Sequence, residues 1–455
     1  MTTSLWRTTR WLTAVSIVMT SLVAHAQDTA AATKSDDERT TGLPSQIEWK
    51  FNFDAGWGVF GFGNSLYQDP KEHVPQGYGD HWFEGYMKPA ITGTYGLSNK
   101  SEFYGKLSGV GERTYADAPP LVGNAENSFL PEDLYVGWRS GKALGSSENV
   151  LDLTVGRLPY TIGHGYLVWD GTAEGGSRGG YWSNARKNWE FGAVGRFKPG
   201  NHTFEVFYLR RDFLPERDSD SRFWGANYEY KIGDTTTLGA TYLKLWADPQ
   251  LEPQRNHASV YTARAYTSPI SAAKNLSFEL EGAVERNHEL LHSDAWTAQA
   301  AYEFSSIHWK PKLSYRYALF EGDNPATTQN EAFDPLFPGF YDWGTWWQGE
   351  IAGEYFLSNS NLISNEVRLH LTPNEHVSGG VIYWNFLADQ AGALGPGVTE
   401  RDLAREVDLY TDWKINKHFT ASFVAAFANP RAGVQQATGR TQNFKYGMVF
   451  LAYSY

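Results

Sequence analysis

Basic residues recur on the polar side of segments in which polar and apolar residues alternate. Arginine suits recognition of a carboxylate because its planar guanidinium pairs with both oxygens, and rings of Arg and Lys are the usual device of anion-conducting pores. Alternation places the following cations on one face of their segments: Lys50, Lys88, Lys106, Arg139, Arg196, Arg211, Arg316 and Arg368. These residues are the predicted binding groups for an anionic solute.

Acidic residues share that face and leave a second interpretation open. They are at least as numerous as the bases: Glu48, Glu84, Glu112, Asp133, Glu279, Glu281, Glu303, Glu366, Glu406 and Asp408. Each cation can therefore form an ion pair within the protein or contact a solute. Clustering of the basic residues at one depth along the polar face would favour contact with a solute over ion pairing within the protein. The histidines are scattered, and we predict no catalytic residue, no metal site and no cofactor.

The alternation that positions these residues predicts β-strands. In "IEWKFNFDAGW", Ile47, Trp49 and Phe51 fall on one face of a strand while Glu48 and Lys50 fall on the other. A soluble sandwich would bury the apolar face, and a transmembrane barrel would turn it to lipid. The segments are about ten residues long, and short turns such as "KPGN" and "TPNEH" alternate with long polar loops. This asymmetry predicts an all-β fold, a transmembrane antiparallel barrel.

A single-chain bacterial barrel normally has an even number of strands. That number is reached only if "GEIAGEYF" at 349–356, which also resembles a strand, belongs to one long extracellular loop over about 321–361. The prediction is then a barrel of about 18 strands over 46–455, with the fourth strand starting near Pro131. The terminal "FLAYSY" would close the last strand against the first, and it resembles the signal that the outer-membrane assembly machinery reads.

The first residues predict export. Arg7 and Arg10 precede an apolar run at 12–23 and the small residues "AHA", which together indicate a signal peptide over 1–26. Residues 27–45 are polar and without periodicity, so we expect a flexible arm. The chain has no cysteine and a formal net charge of -12. We expect the outer membrane of a Gram-negative bacterium as its location and no binding of nucleic acid.

Two segments resemble the alginate-export family of outer-membrane proteins. They are "LDLTVGRLPYTIGHGYLVWDG" at 151–171 and "FDPLFPGFYDWGTWWQGEIAGEYFLSNSNLISNEVRLHL" at 333–371. The resemblance implies a monomeric 18-stranded barrel, embedded in outer-membrane lipid, that passes an acidic polysaccharide or oligosaccharide through an arginine-bearing constriction. Arg157 matches the family's Gly-Arg position, although alternation with Val155 points it outward. A bulge or a strand end would have to redirect it. Periplasmic export proteins are possible partners.

The aromatic residues fall into two groups. We expect the strand tryptophans to face lipid or an interfacial girdle: Trp49, Trp57, Trp138, Trp189, Trp224 and Trp296. A second group lies in the long loop, where it either constricts the mouth or packs only on itself: Phe333, Phe337, Phe340, Tyr341, Trp343, Trp346 and Trp347.

Three functions are consistent with the sequence. The first is a channel that conducts an anionic, alginate-like polysaccharide or its oligomers. The alternative is a general or substrate-specific porin for uptake of small solutes, which the mixed charge of the polar face favours. A barrel enzyme at the cell surface is the third, and no convergent catalytic set supports it.

Overall fold

The computed structural model describes residues 47–64, 81–116, 127–145, 147–171, 178–180, 182–214, 218–268, 275–288, 290–339, 348–353 and 357–455. The predicted signal peptide, 1–26, and the predicted arm, 27–45, lie outside these ranges. They remain predictions.

The described residues form a closed antiparallel barrel of 18 strands, which confirms the predicted fold. Each strand pairs with its neighbours in sequence, and β1 also pairs with β18. The strands are β1 Glu48–Gly63, β2 His81–Gly96, β3 Glu102–Tyr115, β4 Asn127–Arg139, β5 Leu151–Leu158, β6 Trp189–Phe197, β7 His202–Arg210, β8 Arg222–Ile232, β9 Thr236–Trp246, β10 Ser259–Thr267, β11 Leu276–Asn287, β12 Leu291–Glu303, β13 Lys312–Phe320, β14 Leu362–Leu371, β15 Val377–Leu387, β16 Asp402–Lys414, β17 Phe419–Pro430 and β18 Phe444–Ser454.

The last strand closes the barrel at its end. Phe53 donates its backbone N–H to the carbonyl oxygen of Tyr455 at 3.1 Å, and Tyr455 returns the bond at 3.0 Å. The Ser454 hydroxyl donates to Asp54 at 2.7 Å. Tyr455 is 64% exposed, so the terminal aromatic ring stands on the outer wall beside the short-turn end. In a barrel embedded in lipid that is the position of the periplasmic aromatic girdle.

Side chains on the outer wall are largely apolar. Trp49, Trp57, Trp224 and Trp296 are all more than 40% exposed on the outside of the barrel, where lipid would surround them. The prediction was wrong for Trp189, which is 0% exposed and packs inside the barrel. Its ring meets Phe223 edge to face at 5.3 Å. The register of β5 against β6 shifts between Trp189 and Gly192, and this shift changes the side to which Trp189 points.

Connections differ in length between the two ends of the barrel. Short turns at one end include 97–101, 198–201 and 372–376, and the longest connections, 159–188 and 321–361, lie at the other end. In the part of the chain that the structure describes, the helical segments are a π-helical turn Gly349–Gly353, a 3-10 turn Ala391–Leu394 and helix α1 Ala432–Thr438. Among the residues that the structure describes, no helix combines the length and the apolar character needed to cross a membrane.

Candidate functional site in the barrel lumen

The connection between β5 and β6, residues 159–188, crosses the interior of the barrel; we call it the β5–β6 loop. On one side the backbone N–H of Trp182 donates to the Glu84 carboxylate of β2 at 2.8 Å. On the other side the His164 ring stacks on Tyr266 of β10, with ring centroids 4.0 Å apart. Because β2 and β10 are eight strands apart in a barrel of 18, they belong to opposite walls. The loop therefore spans the lumen.

The connection between β13 and β14, residues 321–361, also enters the lumen; we call it the β13–β14 loop. Asp334 donates its backbone N–H to Glu285 of β11 at 2.8 Å, and Ile351 donates to Glu406 of β16 at 2.7 Å. The segment "GEIAG" forms the π-helical turn at this second contact and is not a strand. Phe337 is 1% exposed and stacks on Phe223, with centroids 5.2 Å apart.

The two loops are joined inside the barrel. Val168 and Phe337 form a parallel bridge, Trp169 donates its N–H to the Phe337 carbonyl at 3.0 Å, and Phe337 donates to the Leu167 carbonyl at 3.0 Å. Phe333, like Phe337, is buried, and the two rings pack on Phe320 and Phe223 of the wall, so they do not pack only on their own loop. Constriction of the mouth stays a prediction. The remaining loop aromatics, Phe340, Tyr341, Trp343, Trp346 and Trp347, lie outside the described residues.

A β-bulge directs Arg157 into the lumen. The register between β5 and β6 shifts between Gly156 and Leu158. Gly156 has a φ of 130°, and a Cβ at this position would lie 2.2 Å from the carbonyl oxygen of Leu134. Only glycine therefore fits the bulge. Simple alternation would have turned the Arg157 side chain to lipid, and the bulge turns it toward Glu132 and Asp212 instead.

We predict that Gly156→Val disrupts this bulge. A β-branched residue at that φ would be strained by about 1–3 kcal/mol, and its Cβ would also clash with the backbone of β4. The expected result is a lower yield of folded barrel and, in the folded fraction, weakened anion selectivity, because Arg157 loses its direction. Heat-modifiable gel mobility measures the first effect and the reversal potential in a planar bilayer the second. Gly447→Val is the control, since Gly447 has no positive φ and the nearest atom to its added Cβ, the Val424 carbonyl oxygen, lies 4.0 Å away. Full folding and unchanged selectivity of Gly156→Val would contradict the prediction.

Three arginines converge on one aspartate between the loops and the wall. Arg157 and Arg186 both contact Oδ2 of Asp212, and Arg178 Nη1 lies 3.1 Å from the same atom. We call these four residues the arginine cluster. The Arg157 and Arg186 side chains are 11% and 3% exposed. Their Nε atoms are buried and have no hydrogen-bond partner among the described residues. The four residues of the cluster carry a net charge of about +2. Their guanidinium N–H groups are donors from which a carboxylate could accept hydrogen bonds.

Asp212 stays ionised because of the arginines. Burial alone would raise the pKa of its carboxyl, but Arg157, Arg186 and Arg178 lower that pKa to about 2. The cluster therefore keeps its charge over the whole physiological range of pH.

A second pair in the β5–β6 loop titrates differently. Burial raises the pKa of Asp170 to about 6, against the opposing effect of Lys187. Burial likewise lowers the pKa of Lys187, whose ammonium lies 4.8 Å from the centre of the Trp169 ring. Asp170 is negative above pH 6 and neutral below it. Lowering the pH through 6 thus adds one positive charge to the net charge of the lumen.

We predict that anion selectivity increases as the pH falls from 7.5 to 5. The reversal potential under a salt gradient should shift toward the anion value, with a midpoint near pH 6. Asp170→Asn should lose the part of the shift that is centred near pH 6, because its side chain carries no charge to lose. A shift of unchanged size in Asp170→Asn would assign the effect to another group.

Most of the predicted lumen cations face inward and have acidic partners. Lys88 and Lys106 lie 3.4 and 3.1 Å from the same Asp133 carboxylate oxygen. Arg196 pairs with Glu205 at 2.6 Å, while Arg139 pairs with Glu102 and Arg316 pairs with Glu366.

The other predicted cations have different surroundings. Arg211 lies just beyond β7, over the Phe213 ring at 4.0 Å, and Arg368 donates to the Tyr410 hydroxyl at 2.7 Å. Lys50 is exposed near the start of β1. Of the predicted cations, only Arg157 belongs to the arginine cluster. Contact of any of these residues with a solute stays a prediction.

Several wall carboxylates hold the loops. Glu84 accepts from the backbone N–H groups of Trp182 and Ser183, and Glu112 accepts from that of Ala185. Glu132, Glu285 and Glu406 accept from loop backbone N–H groups in the same way. Of these, Glu84, Glu112 and Glu406 belong to the predicted set of acids that makes the lumen appear mixed in charge. Because their oxygens are directed at loop amides, they oppose a passing anion less than their number suggests.

Sequence reasoning missed three basic residues of the lumen. Arg178 and Arg186 lie in the β5–β6 loop, where strand alternation gives no information about direction. Arg264 of β10 is buried and lies 2.7 Å from Glu229. Alternation in "SVYTARAYT" places Arg264 opposite Tyr261 and Ala263, so the signal for that residue was present.

Two short patterns found in hydrolases also occur in the sequence, HELLH at 288–292 and GGSRG at 175–179. The first binds zinc when one helix carries both histidines, but His288 follows β11 and His292 lies in β12. The second forms a nucleophile elbow between a strand and a helix, whereas 175–179 lies between two strands and is only partly described. Within the described ranges, no three His, Cys, Asp or Glu residues form a group that could hold a metal ion.

Comparison with known proteins agrees with this architecture. The family model described as alginate export matches residues 132–447. Among solved structures, Acinetobacter baumannii OccAB2 aligns with a TM-score of 0.56 at 12% identity, covering 89% of this chain and 98% of that chain. Pseudomonas aeruginosa OpdQ gives 0.56 at 11% identity over 90% and 99%, and Pseudomonas aeruginosa OccK11 (OpdR) gives 0.53 at 12% identity over 89% and 95%. These identities show a shared fold alone. No curated protein matches the sequence.

Proposed function

The chain belongs to the alginate-export family, and from this premise we propose that it conducts an acidic polysaccharide, or oligomers of one, across the outer membrane. The protein is a channel of the Gram-negative outer membrane. The polymer is the part that we propose. We further propose that the channel acts as a monomer and that it receives the polymer from periplasmic export proteins.

One observation carries this proposal, the convergence of Arg157, Arg178 and Arg186 on the single carboxylate of Asp212. A uronate polymer presents one carboxylate per sugar, so a conduit for it needs fixed guanidinium groups in a narrow passage. Arginine provides a planar fork that pairs with a carboxylate through two hydrogen bonds. The cluster lies beside the two joined loops, where a polymer would have to pass close to it.

A second candidate, an uptake porin for small solutes, has its own supporting observation. Away from the arginine cluster, Lys88, Lys106, Arg196 and Arg316 all have carboxylate partners in the wall. These four cations share three carboxylates, Asp133, Glu205 and Glu366, so together they give the lumen a net charge of only +1. A barrel that relies on these pairs would discriminate weakly between anions and cations.

The test is the reversal potential of the purified protein in a planar bilayer under a salt gradient, with and without added polyuronate. Anion selectivity together with block by the polymer supports the proposal. A neutral dextran of similar length is the control polymer, and it should not block. Cation selectivity, or equal response to polyuronate and dextran, would overturn the polysaccharide proposal and favour the small-solute porin.

A further inference from the structure

A row of polar and basic residues crosses four strands on the outer wall. Ser259 of β10 pairs in register with Lys244 of β9 on one side and with Arg286 of β11 on the other. Arg286 in turn pairs with His292 of β12. We call Lys244, Ser259, Arg286 and His292 the β9–β12 row. Its members lie side by side, with strands about 4.8 Å apart.

The row lies at one defined height on the barrel. Lys244 is two residues from the end of β9, Ser259 begins β10, Arg286 is next to last in β11 and His292 is second in β12. All four positions are at the end that carries the long loops, which faces the cell exterior. The row therefore lies where the outer leaflet of the membrane meets water.

Apolar and aromatic side chains lie directly below the row. Tyr242 and Tyr261 pair in register one step nearer the membrane centre, and their rings are 5.2 Å apart. Trp224 pairs in register with Lys244, level with the row, and packs down on Tyr242 at 5.4 Å; Tyr261 is 51% exposed on the outer wall. The row thus marks a boundary between charged and apolar surface. A ligand suited to it has an anionic head above and hydrocarbon below.

The two cations have unequal surroundings. The Lys244 ammonium donates to the His257 carbonyl at 2.6 Å and to the Ser259 hydroxyl at 3.1 Å, and no carboxylate of the described residues lies within 4.0 Å of it. Arg286 donates to the Ser293 carbonyl at 2.9 Å and lies 2.8 Å from Asp294. Backbone carbonyls and Ser259 hold both side chains along the wall. A net positive charge remains at the membrane surface.

We propose that the β9–β12 row binds the phosphorylated glycolipid of the outer leaflet, lipid A, through its phosphate groups. Phosphate is the anion that Lys and Arg bind at membrane surfaces. The outer leaflet of a Gram-negative outer membrane consists mainly of lipid A anchors, which carry phosphates above several acyl chains. Lys244 and Arg286 meet the phosphates, and Tyr261 and Tyr242 meet the acyl chains. The site is independent of the channel's substrate.

Native mass spectrometry of the full-length protein in detergent tests the proposal. The probe is diphosphoryl lipid A, compared with phosphatidylglycerol and with lipid A that has been dephosphorylated. Wild type should retain diphosphoryl lipid A preferentially. The double variant Lys244→Ala/Arg286→Gln should lose about tenfold or more of that affinity.

The matched control is Lys445→Ala/Arg405→Gln, which removes one lysine and one arginine from the outer wall on β18 and β16. It should bind lipid A as wild type does. Equal retention by the Lys244/Arg286 variant and wild type would overturn the proposal, as would equal loss in the control. Equal binding of phosphatidylglycerol would reduce the row to a nonspecific anionic contact and would also overturn it. Loss of dimer masses in the variant would instead assign the row to contact between two copies of the chain.

Discussion

Replacing Arg157 and Arg186 together by glutamine is expected to abolish block by polyuronate and to shift the reversal potential toward cations. Each charge-assisted hydrogen bond contributes about 1.5–3 kcal/mol, so losing two guanidiniums should weaken polymer binding by at least about a hundredfold. The local charge also changes sign: Arg157, Arg178 and Arg186 with Asp212 and Glu132 sum to +1, and without Arg157 and Arg186 the sum is -1. The measurement is the polyuronate concentration for half-block of a single channel.

Two companion variants separate charge from geometry. Arg157→Lys/Arg186→Lys keeps the charge but loses the planar fork, so it should retain anion selectivity while polymer block weakens. Lys142→Gln/Glu148→Gln removes a 3.1 Å ion pair from the turn between β4 and β5 without changing net charge, and it should leave both properties as in wild type. Undiminished block in the double glutamine variant would mean that the arginine cluster does not contact the polymer.

The barrel itself could be predicted because its cause is local. Each strand shows the alternation of apolar and polar residues, and a single-chain barrel normally has an even number of strands. The 18 strands, and the exclusion of "GEIAG" at 349–353 from the sheet, could therefore be predicted. Errors arose where pairing register departs from regularity. The fourth strand starts at Asn127 although its pattern is clearest from Pro131, because the register of β3 against β4 shifts between Leu107 and Gly109. Trp189 was misplaced by the shift between β5 and β6.

The candidate site was harder to predict because its parts come from loops. Arg157 was identified by resemblance to a Gly-Arg motif, and only the fit of Gly156 in a bulge explains its direction. Arg178, Arg186 and Asp212 carry no periodicity that relates them to Arg157, since they meet only when the β5–β6 loop enters the barrel. Arg157 and Asp212, whose side chains are hydrogen-bonded, are 55 residues apart in the sequence. The residue pattern of a single strand cannot predict such contacts.

The same loops explain why a count of charges was misleading. Glu84, Glu112 and Glu406 are lumen acids by alternation, and the structure confirms that they face inward. Their oxygens nevertheless accept hydrogen bonds from loop backbone N–H groups, which are donors that no composition reveals. A carboxylate that accepts such bonds is partly neutralised by their dipoles. The electrostatic field along the passage therefore depends on the acidic side chains that remain exposed to the lumen.

Replacing residues 163–185 by a short Gly-Ser linker is expected to raise single-channel conductance about threefold or more, because an unobstructed barrel of 16–18 strands leaves an aqueous channel. The excision retains Arg157, Arg186 and Asp212 but removes the segment that reaches from β2 to β10 and pairs with Phe337. The Glu84 and Glu112 carboxylates lose their amide donors and become exposed, so selectivity should shift toward cations at the same time.

The matched control removes 432–440 from the connection between β17 and β18. That segment contains α1 and packs on the rim, where Gln436 accepts from the backbone N–H groups of Thr399 and Glu400. Its loss should leave conductance and selectivity unchanged. If excision of 163–185 also left conductance unchanged, the β5–β6 loop could not be the obstruction, and the narrowest part of the passage would have to be the β13–β14 loop. A rise in conductance with polymer block fully retained would separate the physical barrier from the binding groups, and Arg157 and Arg186 on their own would then suffice to hold the polymer.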